Sequence, residues 1–321
     1  ARGRTTRAFP GRNPHEISSI AAGSRVKSMR FSFVVATQGR TKELTCLLSS
    51  LLPPRQQGCS FEVIIVDQNE DNRLEEVLRP FAGELPVIHL RTAPGLSGAR
   101  NLGLETSVGE ILAFPDDDCW YPPQLLTKVE RLFDAHPDWD GLSIRSVDAD
   151  GKASGGRWHT ASGWITRTNV WFRCVSYGLF LRRALVRRTG GFDPLLGLGA
   201  HWGSGEELDY VLRSLRMGAR VWYEHGLFVV HPRRPARGWL AGRAFRYGRG
   251  IGRVLRKHRL PLAFCAYMAV RPLAGTLASV LHLRPGAALY FSAGAVGRIV
   301  GLLRPGPLNG IELPDHWWAA L

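Results

Sequence analysis

The stretch GEILAFPDDDCWYPPQLLTKVERLFDAH, residues 109–136, decides the fold of this 321-residue chain. It opens with a short apolar run, which is typical of a buried strand, and the run ends on three adjacent carboxylates, Asp116, Asp117 and Asp118. Two prolines and then apolar residues at helical spacing follow, and prolines are common in the first turn of a helix. The stretch therefore predicts a strand, an acidic turn and a helix, which together make one βα unit.

The same unit repeats before residue 109. Segments typical of strands are followed by segments with helical spacing at 31–37 and 41–52, at 61–67 and 72–81, and at 85–91 and 95–107. This alternation predicts an α/β, Rossmann-like fold in which a mainly parallel central sheet is flanked by helices. Ligands of such sheets bind beyond the carboxyl ends of the strands. Asp67 and the Asp triplet both follow strands, so we expect them at one edge, although the triplet alone also fits an ordinary Asp-rich turn.

The chain becomes less regular after these repeats. Residues 140–175 are rich in Gly, Ser, Thr and Trp, which suits a sugar- or acceptor-binding surface, and ordinary packing of the three tryptophans is an equally good explanation. Residues 175–197 predict a strand, a short helix and a Gly-Gly turn. Residues 205–224 predict a helix that begins with Glu206 and Glu207. Acids in a first turn are favourable with the helix dipole, so this pair also has a purely structural explanation.

The formal net charge of +15 is concentrated at the two ends of the chain. Residues 225–310 contain fourteen Lys and Arg and no Asp or Glu, and residues 1–30 contain seven basic residues, whereas residues 31–224 are slightly acidic. Residues 1–28 lack a long apolar run, so we expect a disordered basic extension without a secretory signal, with Met29 as the natural start. The five cysteines form no Cys-x-x-Cys pair, which favours a reducing compartment over disulfides or a zinc site.

The basic C-terminal part predicts a region that associates with membranes. Arginines recur at spacings of three and four over 243–256, with apolar residues on the opposite face, as in an amphipathic helix at a lipid surface. Three apolar segments follow, interrupted by Arg-Pro at 271–272 and 284–285, and none of them reaches the about 20 residues of a spanning helix. We therefore expect residues 236–321 to be helical and to lie on or re-enter an anionic membrane surface through residues 237–304. A small helical domain packed on the rest of the chain is the alternative.

Six motifs in this order resemble the family 2 glycosyltransferases, which have the GT-A fold of the nucleotide-diphospho-sugar transferase superfamily. The resemblance extends over residues 31–231, and the motifs read IIVDQNED, APGLSGARNLGL, FPDDDCWYPP, TGGFDPLLG, GSGEELDYVLR and VVHP. The resemblance implies a GT-A catalytic domain at 29–235. It implies a donor half over residues 29–120 and an acceptor half over residues 121–235.

The activity that the resemblance implies is inverting transfer of a hexose or deoxyhexose from a nucleoside-diphosphate sugar to a glycan or a lipid-linked acceptor. Such a transfer would serve the synthesis of cell-surface polysaccharide or glycolipid in a bacterium, and the enzyme would be cytoplasmic and peripheral on the inner membrane. Because negative charge develops on the diphosphate leaving group, the reaction needs a divalent cation, Mn²⁺ or Mg²⁺, held by carboxylate oxygens. No nucleic-acid partner is expected.

The family motifs also imply roles for particular residues. The implied metal ligands are Asp118, Asp116 and His231. The implied catalytic base is Glu207, with Glu206 beside it, although the family usually has Asp at this position. The residues implied in donor or nucleotide binding are Thr37, Arg40, Asp67, Gly98, Arg100, Asn101, Asp116 and Asp117. Those assigned to the acceptor are Trp202 and Asp209.

Three alternatives remain open. A nucleotidyltransferase that makes nucleotide sugars would have a Gly-rich loop followed by Arg and Lys after the first strand, and this sequence lacks one. A nucleic-acid-binding protein would explain the basic C-terminal part, but it gives no role to Asp67, the Asp triplet or Glu206 and Glu207. A non-catalytic homologue would bind the nucleotide and would lose nothing when Glu207 is replaced.

Overall fold

The computed structural model describes residues 29–53, 55–56, 58–233 and 236–304. The predicted extension at 1–28 and residues 305–321 lie outside this part. The first elements alternate as predicted: β1 (Phe31–Thr37), α1 (Lys42–Leu51), β2 (Phe61–Asp67), α2 (Arg73–Leu78), β3 (Val87–Arg91), α3 (Leu96–Thr106), β4 (Ile111–Ala113) and α4 (Leu125–Ala135). The next are β5 (Gly141–Val147), β6 (Gly163–Trp164), β7 (Leu179–Arg182), α5 (Arg183–Thr189), α6 (Glu206–Arg216) and β8 (Val221–Val230). Four helices follow: α7 (Ala241–Lys257), α8 (Leu262–Val270), α9 (Pro272–Leu281) and α10 (Pro285–Leu303).

The eight strands of the described residues form one sheet in the order β3-β2-β1-β4-β7-β5-β8-β6. The first four strands are parallel to one another, and β8 is parallel to β5. β7 and β6 are antiparallel to the strands beside them. The mostly parallel sheet, flanked by helices, confirms the predicted α/β class.

The sheet carries an apolar core on each face, which explains why its strands are continuously apolar rather than alternating. In β2, Phe61, Val63 and Ile65 belong to one core, and Ile64 and Val66 belong to the other. Helices α1, α2 and α4 cover the first face, and helices α3, α5 and α6 cover the second.

The carboxyl ends of the central strands meet at one edge of the sheet. Thr37 at the end of β1 lies in register with Asp67 at the end of β2. Strand β4 pairs with β1 on the side opposite to β2, and the Asp triplet follows β4. Helix α3 packs closely over β1 because Gly103 has no side chain, and a Cβ there would overlap Val34. The sheet order thus brings both acidic strand ends to the edge where ligands of such folds bind.

Helix α7 packs between the α/β body, residues 29–231, and α10. On one side Gly250 lies against the loop before α6, where a Cβ would overlap the carbonyl oxygen of Ser204. On the other side Gly252 lies against α10, where a Cβ would overlap the carbonyl oxygen of Arg298. Gly248 lies against Gly294 of α10, and Arg256, later in α7, bonds Leu302, later in α10. The two helices therefore run side by side in the same direction.

Two helices of the described residues are long and apolar enough to cross a membrane, Leu262–Leu281 with 20 residues and Pro285–Leu303 with 19. The prediction that Arg-Pro keeps every apolar segment below this length is therefore wrong. Arg271 keeps helical dihedrals, with φ −48° and ψ −39°, and Pro272 takes the first position of α9, where a missing N–H is tolerated. Length and composition alone are weak evidence for a membrane span.

The basic face of α7 is largely used for contacts within the protein. Arg249 and Arg253 lie over the ring of Trp202, 5.3 and 4.8 Å from its centroid. Arg256 donates hydrogen bonds to the last carbonyl groups of α10, and Lys257 pairs with two acids of the α/β body. The predicted helix exists, but Arg253 is 2% exposed and so does not belong to the predicted lipid-binding face, because charge spacing does not distinguish a lipid partner from an internal one. Arg246 is exposed, and lipid binding by the remaining arginines stays a prediction.

Candidate active site

The three adjacent aspartates have different partners, which offsets the repulsion between them. Asp117 turns back towards β1, where it accepts a hydrogen bond from Thr37 Oγ1 at 2.7 Å and pairs with Arg40. Asp118 pairs with the same guanidinium, with 2.8 Å between Arg40 Nη2 and Asp118 Oδ2. Burial raises the pKa of Asp117 to about 6, although the charge of Arg40 and the bond from Thr37 act to lower it.

Asp116, Asp118 and His231 form a cluster in which one ligand atom of each lies within 4.8 Å of the others. His231 directly follows β8, its Nε2 lies 3.1 Å from Asp118 Oδ1, and its ring stacks on Tyr177 with 4.5 Å between centroids. Its Nδ1 is buried and has no hydrogen-bond partner among the described residues. Two carboxylates and an imidazole suit a divalent cation such as Mn²⁺. The fold thus brings together the three residues predicted as metal ligands, from positions more than a hundred residues apart in sequence.

Arg100 connects this cluster to Glu206, the residue before the predicted base. Its Nη2 lies 3.1 Å from Asp116 Oδ1, and its Nη1 lies 2.9 Å from Glu206 Oε1. The guanidinium is almost fully buried, at 1% exposure, and lies over the ring of Phe192. Helix α3 therefore supplies a fixed cation between the carboxylates that follow β4 and those that begin α6.

The first turn of α6 carries Glu206 and Glu207. Gly205 precedes it with φ +87°, a left-handed conformation that favours glycine. Glu206 pairs with Arg100, whereas Glu207 has no ion-pair partner among the described residues. Burial and the adjacent charge of Glu206 raise the pKa of Glu207 to about 8. A carboxylate without a partner and with a pKa near neutral is suited to accept a proton.

The two residues assigned to the acceptor, Trp202 and Asp209, are buried. Trp202 is 1% exposed and lies beneath Arg249 and Arg253 of α7. Asp209 is fully buried and is bonded to cations of α6 and α7. Their acceptor roles stay predictions, and the burial of both side chains favours structural roles instead.

The donor-side predictions occupy the same edge of the sheet but differ in exposure. Asp67 is buried and accepts two bonds from Asn69, at 2.8 and 2.7 Å, and its Oδ2 lies 3.1 Å from His89 Nε2. Gly98 lies on the exposed side of the first turn of α3. Asn101 bonds the backbone of Phe192 twice, at 3.0 and 2.7 Å, and so holds the Gly-Gly turn against α3. Nucleotide binding by these residues stays a prediction.

Sequence reasoning missed three residues beside the site. Ser176 Oγ lies 3.5 Å from Asp116 Oδ1, and Tyr177 supports His231. Tyr247 of α7 accepts a hydrogen bond from Ser204 Oγ at its carbonyl oxygen. Burial, together with the nearby charges of Asp116 and Glu206, raises the pKa of Tyr247. Ser176 and Tyr177 lie in a 3-10 turn, Ser176–Gly178, at the start of a segment predicted as a strand, where no local pattern marks a site residue. Tyr247 is recognisable in the sequence only as an aromatic residue within a basic helix.

Comparison with known proteins finds a matching family. Residues 32–189 match the family model described as Glycosyl transferase family 2. Glycosyltransferase AglE of Haloferax volcanii is 25% identical over 257 residues, which cover 78% of this chain and 82% of that protein. Succinoglycan biosynthesis protein ExoM of Rhizobium meliloti is 27% identical over 230 residues, which cover 67% of this chain and 72% of that protein.

A solved structure shares the fold. Mannosyltransferase PcManGT of Pyrobaculum calidifontis, in complex with GDP-Man and Mn²⁺, superposes with a TM-score of 0.62 at 18% identity. The superposition covers 85% of this chain and 87% of that one. The likeness at this identity establishes the GT-A fold.

Proposed function

We infer, from the chain's membership of the family 2 glycosyltransferases, that it transfers a sugar from a nucleoside-diphosphate sugar to a hydroxyl of a glycan or a lipid-linked acceptor, with inversion. The observation that carries this proposal is that Arg100 joins the cluster of Asp116, Asp118 and His231 to Glu206, directly before Glu207, which has no ion-pair partner among the described residues. The cluster suits a cation that binds diphosphate, and Glu207 suits the role of a base.

The proposed reaction is one in-line displacement. Glu207 takes the proton of the acceptor hydroxyl while that oxygen forms a bond to the anomeric carbon. The bond between this carbon and the diphosphate oxygen breaks, and the nucleoside diphosphate leaves with the electron pair. A divalent cation held by Asp116, Asp118 and His231 would neutralise the charge that develops on the leaving group.

The residues at the sheet edge would bind the donor. Arg40 and Arg100 hold the Asp triplet in place through their ion pairs, and Thr37 fixes Asp117 against β1. Asp67, at the end of β2, would face the nucleobase. The complex of PcManGT with GDP-Man and Mn²⁺ supports a nucleotide sugar and a divalent cation as the ligands. The name of ExoM supports a role in polysaccharide synthesis.

The C-terminal helices would hold the enzyme at the cytoplasmic face of a membrane. Leu262, Leu277, Leu281 and Leu303 are 87, 62, 73 and 67% exposed, an apolar surface unusual for a soluble monomer. Exposed arginines stand at both ends of the helical pair formed by α8–α9 and α10: Arg259, Arg284 and Arg304. This combination suits apolar insertion between anionic headgroups.

The packing of α10 favours helices that lie in the membrane surface over helices that span the bilayer. α10 runs along α7, and α7 is fastened to the α/β body by Lys257. A spanning α10 would carry the charged α7 into the hydrocarbon, at a cost of several kcal/mol for each unpaired charge. A helical pair in the membrane plane leaves the α/β body in water.

Turnover tests the proposal directly. Purified protein with Mn²⁺ is incubated with UDP-GlcNAc, GDP-mannose and related donors, and release of the nucleoside diphosphate is measured with water or a membrane extract as the acceptor. We expect release from one donor, loss of release in EDTA, and loss in Glu207→Gln. Unchanged release in Glu207→Gln would exclude Glu207 as the base, and no release from any donor, from protein that binds the nucleotide, would indicate a non-catalytic homologue.

A further inference from the structure

The acids around Glu207 are each matched with cations of their own. Glu206, one residue before it, pairs with Arg100 at 2.9 Å. Asp209, two residues after it, pairs with Arg213 at 2.9 Å. Glu207 itself has no such partner among the described residues. In the first turn of α6, Glu206 and Asp209 therefore have cationic partners, and Glu207 has none among the described residues.

Asp209 receives two further bonds from the end of α7. Lys257 Nζ and His258 Nε2 each lie 2.8 Å from Asp209 Oδ1. Burial would raise the pKa of Asp209, but the bonds from His258 and Lys257 and the charge of Arg213 hold it well below its ordinary range. His258 is buried, and burial lowers its pKa. The lasting positive charge that α7 brings to Asp209 therefore belongs to Lys257.

Lys257 holds a second acid of the α/β body at the same time. Its Nζ lies 2.6 Å from Asp193 Oδ2, and the Asp193 side chain is 3% exposed. Asp193 follows Phe192, whose ring lies under the guanidinium of Arg100 and whose backbone is bonded by Asn101. One ammonium group thus connects the helix that carries the base to the turn that supports Arg100.

We propose that Lys257 is a positioning residue for the base: by bonding Asp209 and Asp193 together, it fixes the first turn of α6 against the turn that follows the Gly-Gly pair. The proposal rests on the proposed function of Glu207. It gives the C-terminal region a part in catalysis, because Lys257 belongs to the helix that α10 packs against.

The charges that act on Glu207 are Glu206 on its own helix, Arg100 on α3 and Asp116 after β4. Asp209 lies two residues further along α6, and side chains two residues apart on a helix do not face each other. Loss of Lys257 is therefore expected to change the position of the first turn of α6, while the charges around Glu207 stay as they are.

The experiment compares Lys257→Met and Lys257→Arg in the full-length protein. Nucleoside-diphosphate release is measured against pH with the donor that the wild type uses, and thermal stabilisation by the matching nucleoside diphosphate with Mn²⁺ measures donor binding. Lys152→Met is the matched control, because Lys152 is 68% exposed and is paired only with exposed Asp150 at 3.8 Å.

We expect Lys257→Met to lower kcat about 10- to 100-fold, since misplacement of a catalytic group by an ångström has effects of this size. The acid limb of its pH profile should keep the wild-type position, donor binding should stay unchanged, and Lys257→Arg should recover most of kcat. A Lys257→Met protein that melts earlier but keeps the wild-type kcat would overturn the inference, because a purely structural ion pair gives that result. A wild type that binds no nucleoside diphosphate would overturn the proposed function as well, so the two failures are distinguishable.

Discussion

Asp116 and Glu206, ninety residues apart in sequence, share one buried guanidinium, with Arg100 Nη2 3.1 Å from Asp116 Oδ1 and Arg100 Nη1 2.9 Å from Glu206 Oε1. The proposed metal centre and the acid directly before the proposed base are therefore held in a fixed relation by a residue of α3. Because Arg100 is 1% exposed, both ion pairs are shielded from water on the guanidinium side.

Replacing Arg100 with Met tests this relation. The change leaves two mostly buried carboxylates without their cation, so we expect the free energy of unfolding to fall by about 3 kcal/mol, the usual cost of removing one partner of a buried pair. Urea unfolding gives the value. Arg73→Met, at an exposed pair with Asp71, is the matched control and should change stability far less, because water screens exposed ion pairs. An Arg100→Met protein as stable as this control would contradict the bridging role.

Glu207→Gln should stabilise the protein at high pH. Burial and Glu206 raise the folded-state pKa of Glu207 to about 8, whereas an unfolded Glu titrates near about 4.3. The folded state therefore keeps a proton that the unfolded state loses, and the wild type loses stability as pH rises between these two values. Gln carries no such proton, so the melting temperature of Glu207→Gln should exceed that of wild type by an amount that grows from pH 5 to pH 8. A difference that is constant with pH would show that Glu207 titrates normally.

The exposed leucines of α9 should carry membrane binding. Leu277 and Leu281 are 62 and 73% exposed, and their replacement by Ser removes apolar surface from the face that would enter the headgroup region. We expect the double variant to bind vesicles of phosphatidylglycerol and phosphatidylcholine several-fold more weakly in co-sedimentation. Val108→Ser is the control, since Val108 is 63% exposed but precedes β4 in the α/β body. Equal binding by all three proteins would exclude this surface, and tight binding that survives carbonate extraction would favour helices that span the bilayer.

The sequence was sufficient for the parts of the fold that depend on local pattern. Strands such as Phe61–Asp67 are buried on both faces, so their unbroken apolar character marked them directly. The carboxylates after β2 and β4 could be assigned to one edge because parallel strands share an edge for their carboxyl ends. The cluster of Asp116, Asp118 and His231 came from the family motifs, and the structure brings the three together.

Long-range ion pairs could not be predicted in the same way. Arg100 and Glu206 are 106 residues apart, and no local pattern joins them. The arginines of α7 have the spacing of a lipid-binding helix, yet Arg253 is 2% exposed because Trp202 covers it. Asp209 was assigned to the acceptor, whereas its side chain is buried and pairs with Lys257, a residue more than forty positions later in the sequence.

The most direct test of the central claim is thermal stabilisation by nucleoside diphosphates. Melting temperatures are measured with UDP, GDP, dTDP and CDP, each with Mn²⁺ and with EDTA, for wild type and Asp118→Ala. A ligand that binds only the folded state raises the melting temperature by mass action. We predict a rise of several degrees with one nucleotide in Mn²⁺, lost both in EDTA and in Asp118→Ala. No rise with any nucleotide, from folded wild-type protein, would contradict a donor site at the Asp triplet.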